Sequence, residues 1–345
     1  MAKTPLIYDG DMGGDDLWAI SLLLAHTDRF DILGFATCFG NVSQPYATRN
    51  LLNFIHWINH GHIYEVAQGA DTPCDGMRPF GDDAYGEGGI GGVILPSSPQ
   101  KPWQGDIADW YAEIILSADV PVTIFCTGPA TNIAFFIQKH PDLCEKIAKI
   151  VLMSGAIDPR GVNGMPIYDE NGAQRTGNIT FHAEFNAFQD PKALNVILRS
   201  GIKTVFIPAD ATQFLIYTQD KQSRIRGLDD GAYGESFHHM LIAVEPLDRA
   251  KYHVDGCFIH DASAAAYLIA PELFTGQTLR GLEFNESPPL PMEDTRRGQA
   301  LIGASDSQAL WLCGMKDPEG VFNCIENGLR TVISRARENQ EPLEG

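Results

Sequence analysis

Four carboxylates and three glycines lie within eight residues near the start of the chain, and this segment constrains the fold more than any other. Residues 9–16 read Asp-Gly-Asp-Met-Gly-Gly-Asp-Asp. An apolar run at 5–8, typical of a buried strand, precedes them, and residues 17–25, rich in helix formers, follow. The segment is therefore predicted to form the loop at the carboxyl end of a strand, where ligands bind in open α/β sheets.

The four carboxylates repel one another unless a cation or protons neutralise them. A hard divalent cation with oxygen ligands, Ca²⁺ or Mg²⁺, would remove this repulsion, and the glycines would let the backbone fold around it. In the alternative, Asp15 and Asp16 only favour the positive end of the following helix. That interpretation leaves Asp9 and Asp11 without a role.

Two other kinds of acidic loop can be compared by their spacing. An EF-hand that starts at Asp9 is excluded, because its fifth and twelfth positions would be Gly13 and Ile20. A haloacid-dehalogenase-like aspartyl phosphatase also begins with a strand and Asp-x-Asp, and would use Asp9 as its nucleophile. Such enzymes usually carry Thr or Val where this chain has Gly13. This class is kept as an alternative.

The composition limits the partners of the protein. A net charge of −19 and a pI of about 4.8 argue against nucleic acid or an anionic membrane as a partner. No apolar run reaches the roughly 18–20 residues that span a bilayer, and no signal peptide is expected. Seven widely spaced cysteines without a C-x-x-C motif are typical of a cytoplasmic protein. Since no repeat or linker interrupts the 345 residues, one domain over 1–345 is predicted.

Predicted strands and helices alternate along the chain, which favours an α/β fold with a mostly parallel central sheet flanked by helices. After the first strand and helix, we predict strands at 30–39, 120–126, 147–153 and 203–207. Helices are predicted at 47–56, 108–118 and 133–139, from residue 191, and within 219–252, while 64–104 is irregular. Two more strands and a final helix are predicted between residue 264 and about residue 336.

Polar residues near the ends of these elements are further site candidates. Asn41 follows the second strand, where a lone Asn is most often a turn or cap residue. Asn178, Glu184 and Asn186 lie beside aromatic residues and would suit a ligand with several hydroxyls, such as a sugar. The alternative is a capped loop before the next helix.

Two further segments could take part in a site. His260 and Asp261 open an alanine-rich helix and could supply a proton donor and a metal-binding carboxylate, or only a helix cap. The acidic, glycine-rich residues 82–92 could be a lid over the site or a solvated surface loop.

Taken together, these segments resemble the inosine–uridine-preferring nucleoside hydrolase family from residue 9 to about residue 264. The family's opening pattern, Asp-x-Asp-Pro-Gly-x-Asp-Asp, matches residues 9–16 except at Met12. Five further segments occur in the family's order: Gly40-Asn41, residues 127–132, Gly177-Asn178, residues 183–186 and residues 260–262.

The resemblance implies the nucleoside hydrolase fold, with a Rossmann-like core, and Ca²⁺-dependent hydrolysis of the N-glycosidic bond of ribonucleosides to free base and ribose. It implies Asp11 as the general base acting on a metal-bound water, with Asp9 supporting the loop. The implied Ca²⁺ ligands are Asp11, Asp15, Asp16, Asp261 and the backbone carbonyl of Thr127. The implied sugar ligands are Asn41, Asn178, Glu184 and Asn186.

The resemblance also implies roles around the leaving base. His260 would assist departure of the base, while Asn178 would help stabilise the positive charge that develops on the ribose. Tyr85 stands where many members place a His near the base or the 5′ side. Met12, in place of Pro, should loosen the turn.

The substrate and the assembly state follow from the same resemblance. Purine-selective relatives stack tryptophans on the base, and the matching segments here contain none. His260 therefore favours a broad or pyrimidine-accepting enzyme of nucleoside salvage. A homodimer or homotetramer is expected, and a non-catalytic nucleoside-binding relative is the remaining alternative.

Overall fold

The apolar run at the start of the chain forms the first strand of the computed structural model, which describes residues 2–58, 62–79, 84–159, 176–289 and 295–338. This strand, β1, spans Thr4–Gly10 and so extends beyond the apolar run. Asp9 therefore belongs to the strand, and Asp11 begins the short loop that leads into the first helix at Gly14.

Twelve strands and twelve α-helices are present in the described residues. The remaining strands are β2 Phe30–Thr37, β3 Val66–Gln68, β4 Val122–Cys126, β5 Ile147–Leu152, β6 Thr204–Phe206, β7 Ile216–Tyr217, β8 Cys257–Phe258, β9 Phe274–Arg280, β10 Leu282–Phe284, β11 Ala300–Ile302 and β12 Gln308–Met315. The helices are α1 Gly14–Ala25, α2 Gln44–Ile58, α3 Ile107–Ser117, α4 Thr131–Lys139, α5 Phe185–Gln189, α6 Pro191–Arg199, α7 Ala209–Thr212, α8 Gln219–Arg226, α9 Ala232–Ile242, α10 Glu245–Tyr252, α11 Asp261–Ile269 and α12 Pro318–Glu338. Three 3₁₀ helices span Glu87–Gly89, Pro141–Lys146 and Pro271–Leu273.

The central sheet has eight strands in the order β3-β2-β1-β4-β5-β6-β12-β9. All neighbours pair in parallel except β12 and β9. The direction in which successive strands are added reverses between β1 and β4, and ligands bind at such a switch point. The carboxyl ends of the two strands are joined there, since the Thr127 N–H donates to the Asp9 carbonyl at 2.9 Å.

Helices cover both faces of the sheet, which explains why a strand such as β4 is buried along its whole length and is apolar except at Thr123. One face packs against α1, α2, α11 and α12, and the other against α3, α4 and α6. Every residue of α1 is buried. A helix enclosed in this way holds its N-terminal Asp15 and Asp16 at fixed positions beside the end of β1.

The α/β class with a mostly parallel sheet is confirmed, and the long elements agree with the predicted ranges within a few residues. Two details of the prediction were wrong. The irregular segment 64–104 contains β3, and four strands rather than two lie between residue 264 and α12, because β10 and β11 form a separate antiparallel ribbon. Residues 82 and 83 of the possible lid lie outside the described residues. One domain over 1–345 stays a prediction.

Candidate active site

The acidic segment at the end of β1 divides into residues that support the site and residues that line it. Asp9 is fully buried and accepts hydrogen bonds from the Tyr111 hydroxyl at 2.7 Å and from Asn132 Nδ2 at 3.0 Å. Burial raises the pKa of Asp9 to about 7, although both hydrogen bonds oppose this shift. Within this segment Asp15 lines the cleft that lies in front of the strand ends, whereas Asp9, Asp11 and Asp16 lie beneath its surface. The contacts of Asp9 tie β1 to α3 and α4 behind the site.

Asp15, Asp16 and Asp261 form a buried cluster in which one carboxylate oxygen of each lies within 4.8 Å of the others. The cluster exists because α1 and α11, which begin beside these residues, pack against each other. Burial and the neighbouring carboxylates raise the pKa of Asp261 well above its usual range, and burial and Asp16 raise that of Asp15 to about 7. Such a cluster is favourable only when protons or a cation compensate its charge.

Asp16 is the best-anchored member of this cluster. Its Oδ2 accepts the Gly13 N–H at 2.8 Å, as the acidic residue of a capping box does. Its Oδ1 accepts the hydroxyls of Thr127 at 2.6 Å and Tyr8 at 3.2 Å. By contrast, the buried Oδ1 of Asp15 has no hydrogen-bond partner among the described residues.

Asp11 lies in the loop after β1 and is held by one residue of the next loop. The Asn41 N–H donates to Asp11 Oδ2 at 2.6 Å, and Asn41 Nδ2 donates to Oδ1 at 3.2 Å. Gly40 allows this approach, because a Cβ atom at that position would lie 1.9 Å from Asp11 Oδ2. Both nitrogen donors of Asn41, which we expected to bind sugar, are thus directed at Asp11.

Thr127 and Asn186 meet at the end of β4. Asn186 Nδ2 donates to the Thr127 carbonyl at 2.7 Å and to the Met153 carbonyl at 3.0 Å. The Thr127 carbonyl keeps one lone pair for another ligand. Asn186 Oδ1 is buried without a partner in the described part of the chain.

Glu184 lines the cleft and is also the N-cap of α5. Its Oε1 accepts the Asn186 N–H at 2.9 Å, while Oε2 accepts the N–H groups of Gly155 at 2.9 Å and Ala187 at 3.0 Å. Burial raises the pKa of Glu184. Glu184 therefore caps a helix, as the alternative interpretation of the sequence allowed, and both of its carboxylate oxygens accept hydrogen bonds from backbone N–H groups.

Asn178 lines the same cleft from the segment that precedes α5. Its carbonyl accepts a hydrogen bond from Lys251, which lies on α10. Its side-chain Oδ1 is buried and lacks a partner in the described residues. Asp15, Asn178 and Asn186 thus contribute three unpaired acceptor oxygens from residues that line one cleft.

His260 and Tyr85 line the cleft on other sides. The Nδ1 atom of His260 lies 2.6 Å from the Thr212 hydroxyl, and burial lowers the pKa of His260 to about 4, so the imidazole is neutral at pH 7. Tyr85 is buried, and burial together with the charge of Asp15 raises the pKa of its hydroxyl well above the usual value. The resemblance implied a place for Tyr85 near the base or the 5′ side, and that role stays a prediction.

Helix α10 forms a wall of the cleft that sequence reasoning missed. Val244, Leu247, Asp248 and Lys251 all line it. Asp248 Oδ2 accepts the Phe258 N–H at 2.9 Å, and burial raises its pKa to about 6. Their spacing places the four residues on one helical face. The mixture of apolar, acidic and basic residues on that face is the sequence feature that could have indicated a site wall.

Met12 has a conformation that the family's usual Pro cannot adopt. Its φ is +52° and its side chain is fully buried, while Asn50 Nδ2 donates to its carbonyl at 3.3 Å. A proline ring fixes φ near −65°. The backbone at Met12 therefore follows a path that a proline could not take.

Comparisons with known proteins point to one family. The family model described as inosine-uridine preferring nucleoside hydrolase matches residues 6–309. The chain is 32% identical over 278 residues to the pyrimidine-specific ribonucleoside hydrolase RihA of Salmonella newport (strain SL254). It is 33% identical over 279 residues to the protein of the same name from Escherichia coli O81 (strain ED1a). Each match covers 79% of this chain and 81% of the relative.

Solved structures show the same fold. The purine-preferring ribonucleoside hydrolase from Gardnerella vaginalis superimposes with a TM-score of 0.79 at 24% identity, and the plant nucleoside hydrolase PpNRh1 with a TM-score of 0.82 at 22% identity. In both cases 95% of this chain and 99% of the other chain are covered. The names of these relatives differ in the base that they specify.

Proposed function

The chain belongs to the inosine-uridine preferring nucleoside hydrolase family and is a nucleoside hydrolase acting on ribonucleosides, and we propose that it does so with Ca²⁺ in the site, Asp11 as general base and His260 at the leaving base. One observation carries this proposal. Buried, unpaired acceptor oxygens of Asp15, Asn178 and Asn186 belong to residues of one cleft. A ribose offers hydroxyl donors that would satisfy such oxygens, and a cation would satisfy the carboxylate.

The acidic residues fit a hard divalent cation. The donor set consists entirely of oxygen atoms, three carboxylates lie within 4.8 Å, and the buried Oδ1 of Asp15 has no partner in the described residues. When bound, Ca²⁺ would supply a Lewis acid that binds hydroxyl oxygens and makes a coordinated water more acidic. The proposed ligands are the carboxylates of Asp11, Asp15, Asp16 and Asp261 and the carbonyl of Thr127.

Asp11 accepts the proton of the attacking water in the proposed mechanism. The two donors of Asn41 fix the orientation of its carboxylate, so little motion is needed when the proton is transferred. Water attacks C1′ as the bond from C1′ to the base nitrogen breaks. Asn41 therefore acts on the reaction through Asp11.

The ribose becomes positively charged as the N-glycosidic bond breaks. Asn178 and Asn186 place amide oxygens in the cleft, and these stabilise positive charge without reorganisation. Glu184 supports this arrangement, because its carboxylate holds the Asn186 N–H at the start of α5. The Asn186 amide is thus held by two backbone carbonyls, which leaves its oxygen for the sugar.

His260 acts on the base as a neutral hydrogen-bond donor. Negative charge develops on the base as it departs. A donor that the protein already holds in place stabilises this charge without the reorientation that bulk water would need. Val244, Leu247 and Phe185 add apolar surface to the cleft. No tryptophan lines the cleft among the described residues, which supports the proposal of a broad or pyrimidine-accepting enzyme.

The phosphatase alternative requires Asp9 as a nucleophile at the cleft. Asp9 is instead fully buried, and Tyr111 on α3 and Asn132 on α4 occupy its two oxygens.

No described helix is long and apolar enough to cross a membrane. We further propose a homodimer or homotetramer that serves nucleoside salvage in the cytoplasm, with sedimentation as the measurement of the assembly state.

Removal of metal tests the proposed function. Purified protein is assayed for base release from uridine and inosine after treatment with a chelator, and again after addition of Ca²⁺ or Mg²⁺. We expect activity to be lost and then restored by Ca²⁺, and Asp261→Asn to be inactive while the exposed control Asp306→Asn behaves as wild type. Full turnover by protein shown to be free of metal would contradict the proposal.

A further inference from the structure

Thr212 forms a hydrogen bond with His260 that no pattern in the sequence indicates. It ends the short helix α7, is fully buried, and places its hydroxyl 2.6 Å from His260 Nδ1. The two residues are 48 positions apart in the chain. The shared proton belongs either to the Thr212 hydroxyl or to His260 Nδ1, and its position decides the tautomer of the imidazole.

The acceptors around Thr212 determine the direction of its hydroxyl proton. The nearest other acceptor for its hydroxyl proton is the Pro208 carbonyl, which lies 3.4 Å away and already accepts the N–H groups of Ala211 at 2.9 Å and Thr212 at 3.0 Å. Two donors use both lone pairs of that carbonyl, and 3.4 Å exceeds the range of O–H···O bonds. The hydroxyl proton of Thr212 is therefore directed at His260 Nδ1.

Because Nδ1 accepts the Thr212 proton, it carries no proton of its own, and the ring proton of His260 lies on Nε2. His260 lines the cleft, and its Nε2 has no hydrogen-bond partner among the described residues. The Nε2–H group is thus available to a ligand, whereas the opposite tautomer would present a lone pair there.

We propose that Thr212 is a positioning residue of the hydrolysis, which holds His260 in the tautomer whose Nε2–H donates to the leaving base. The proposal rests on the proposed function. As the bond from C1′ to the base nitrogen breaks, its electron pair stays on the base, and the hydrogen bond from Nε2 stabilises that charge until a solvent proton neutralises it. The attacking water forms the new C1′–O bond and gives its proton to Asp11.

Helix α7 is fixed well enough to act in this way. Asp210 accepts the N–H groups of Ile157 and Asp158, each at 2.9 Å, and the Trp311 indole N–H at 3.2 Å. The Ala209 N–H donates to the Gly155 carbonyl at 2.9 Å. Because these bonds hold α7 at the end of β5 and against β12, the Thr212 hydroxyl keeps its position without a ligand.

Substrates with different leaving groups distinguish a role of Thr212 at the base from a general structural role. Wild type, Thr212→Val and Thr212→Ser are assayed on uridine and inosine and on p-nitrophenyl β-ribofuranoside, whose leaving anion is stable without a hydrogen bond. We expect Thr212→Val to lower kcat on the nucleosides by about 10²-fold. On the nitrophenyl riboside its kcat should stay within about twofold of wild type. Thr212→Ser keeps the hydroxyl and should recover most of the nucleoside activity.

A second comparison tests whether Thr212 acts through His260. In a His260→Ala background, Thr212→Val should cause no additional loss on nucleosides. An equal loss on both kinds of substrate, or no loss on nucleosides, would overturn the proposal while leaving the proposed function intact. A wild-type protein that releases no base and no nitrophenol would instead contradict the proposed function itself.

Discussion

Asn41 binds both carboxylate oxygens of Asp11, through its backbone N–H at 2.6 Å and its side-chain Nδ2 at 3.2 Å. The two residues follow different strands of the sheet, β1 and β2, and meet because parallel strands end at the same edge. This contact fixes the orientation of the Asp11 carboxylate, the proposed general base, before any substrate binds.

Replacement of the Asn41 side chain tests this relationship. Asn41→Ala removes the donor to Oδ1 and keeps the backbone donor to Oδ2. One hydrogen bond to a charged group contributes about 1.5–3 kcal/mol, so we expect kcat to fall by about 10- to 100-fold. Steady-state kinetics on uridine provide the measurement. The exposed Asn323→Ala is the matched control, and an unchanged kcat for Asn41→Ala would show that Asp11 does not depend on this side chain.

Tyr111→Phe tests the supporting role of Asp9. The change removes one hydroxyl and leaves a buried Asp9 oxygen without its donor, which should lower the free energy of unfolding by about 1–3 kcal/mol. Urea unfolding at constant Ca²⁺ measures the loss, and Tyr46→Phe at a half-exposed site should change little. A variant as stable as wild type would mean that Asp9 needs only Asn132.

The raised pKa of Asp248 predicts that the stability difference between wild type and Asp248→Asn depends on pH. Burial raises its pKa to about 6, so the folded state binds this proton more tightly than the unfolded chain, whose carboxyl titrates near pH 4. The contribution of Asp248 to stability is therefore present below about pH 4 and is lost as the pH rises through about 6. Asp248→Asn keeps an acceptor for the Phe258 N–H and does not ionise.

We expect Asp248→Asn to be more stable than wild type by about 1–3 kcal/mol at pH 8, with the difference shrinking as the pH falls from 6 to 4. Unfolding is measured at pH 5 and pH 8 beside the exposed control Asp220→Asn. A constant difference at both pH values would show that burial does not shift the titration of Asp248.

Met12→Pro would restore the family's residue at a position where this backbone cannot accept it. Because Pro requires φ near −65° and Met12 has a φ of +52°, we expect a loss of about 3 kcal/mol or more in stability, together with weaker Ca²⁺ retention. Thermal unfolding and metal analysis are the measurements. A variant as stable and as metal-rich as wild type would show that the turn readily adopts the other path.

The sequence predicted the parallel sheet and the acidic loop because both depend on local patterns. Buried strands such as β4 are mostly apolar, and the four carboxylates of residues 9–16 are close together in the chain. By contrast, β3 has three residues in a polar segment and is a strand only because β2 pairs with it. No local pattern contains that information.

The parts of the site that sequence reasoning missed arise from long-range packing. Spacing shows that one face of α10 is distinct, and does not show which cavity that face meets. The contact of Thr212 with His260 spans 48 positions, and Asn41 reaches Asp11 across 30. Side chains that position other side chains are revealed only when the fold brings them together.

The most direct test of the account is base release from uridine, cytidine, inosine, adenosine and guanosine by wild type and Asp11→Ala at saturating Ca²⁺. The account predicts that wild type releases base from at least one pyrimidine nucleoside and that Asp11→Ala is slower by about 10²-fold or more, while unfolding like wild type. Wild-type rates in Asp11→Ala would contradict the proposed base, and the absence of base release from all five nucleosides by metal-loaded wild type would contradict the proposed function.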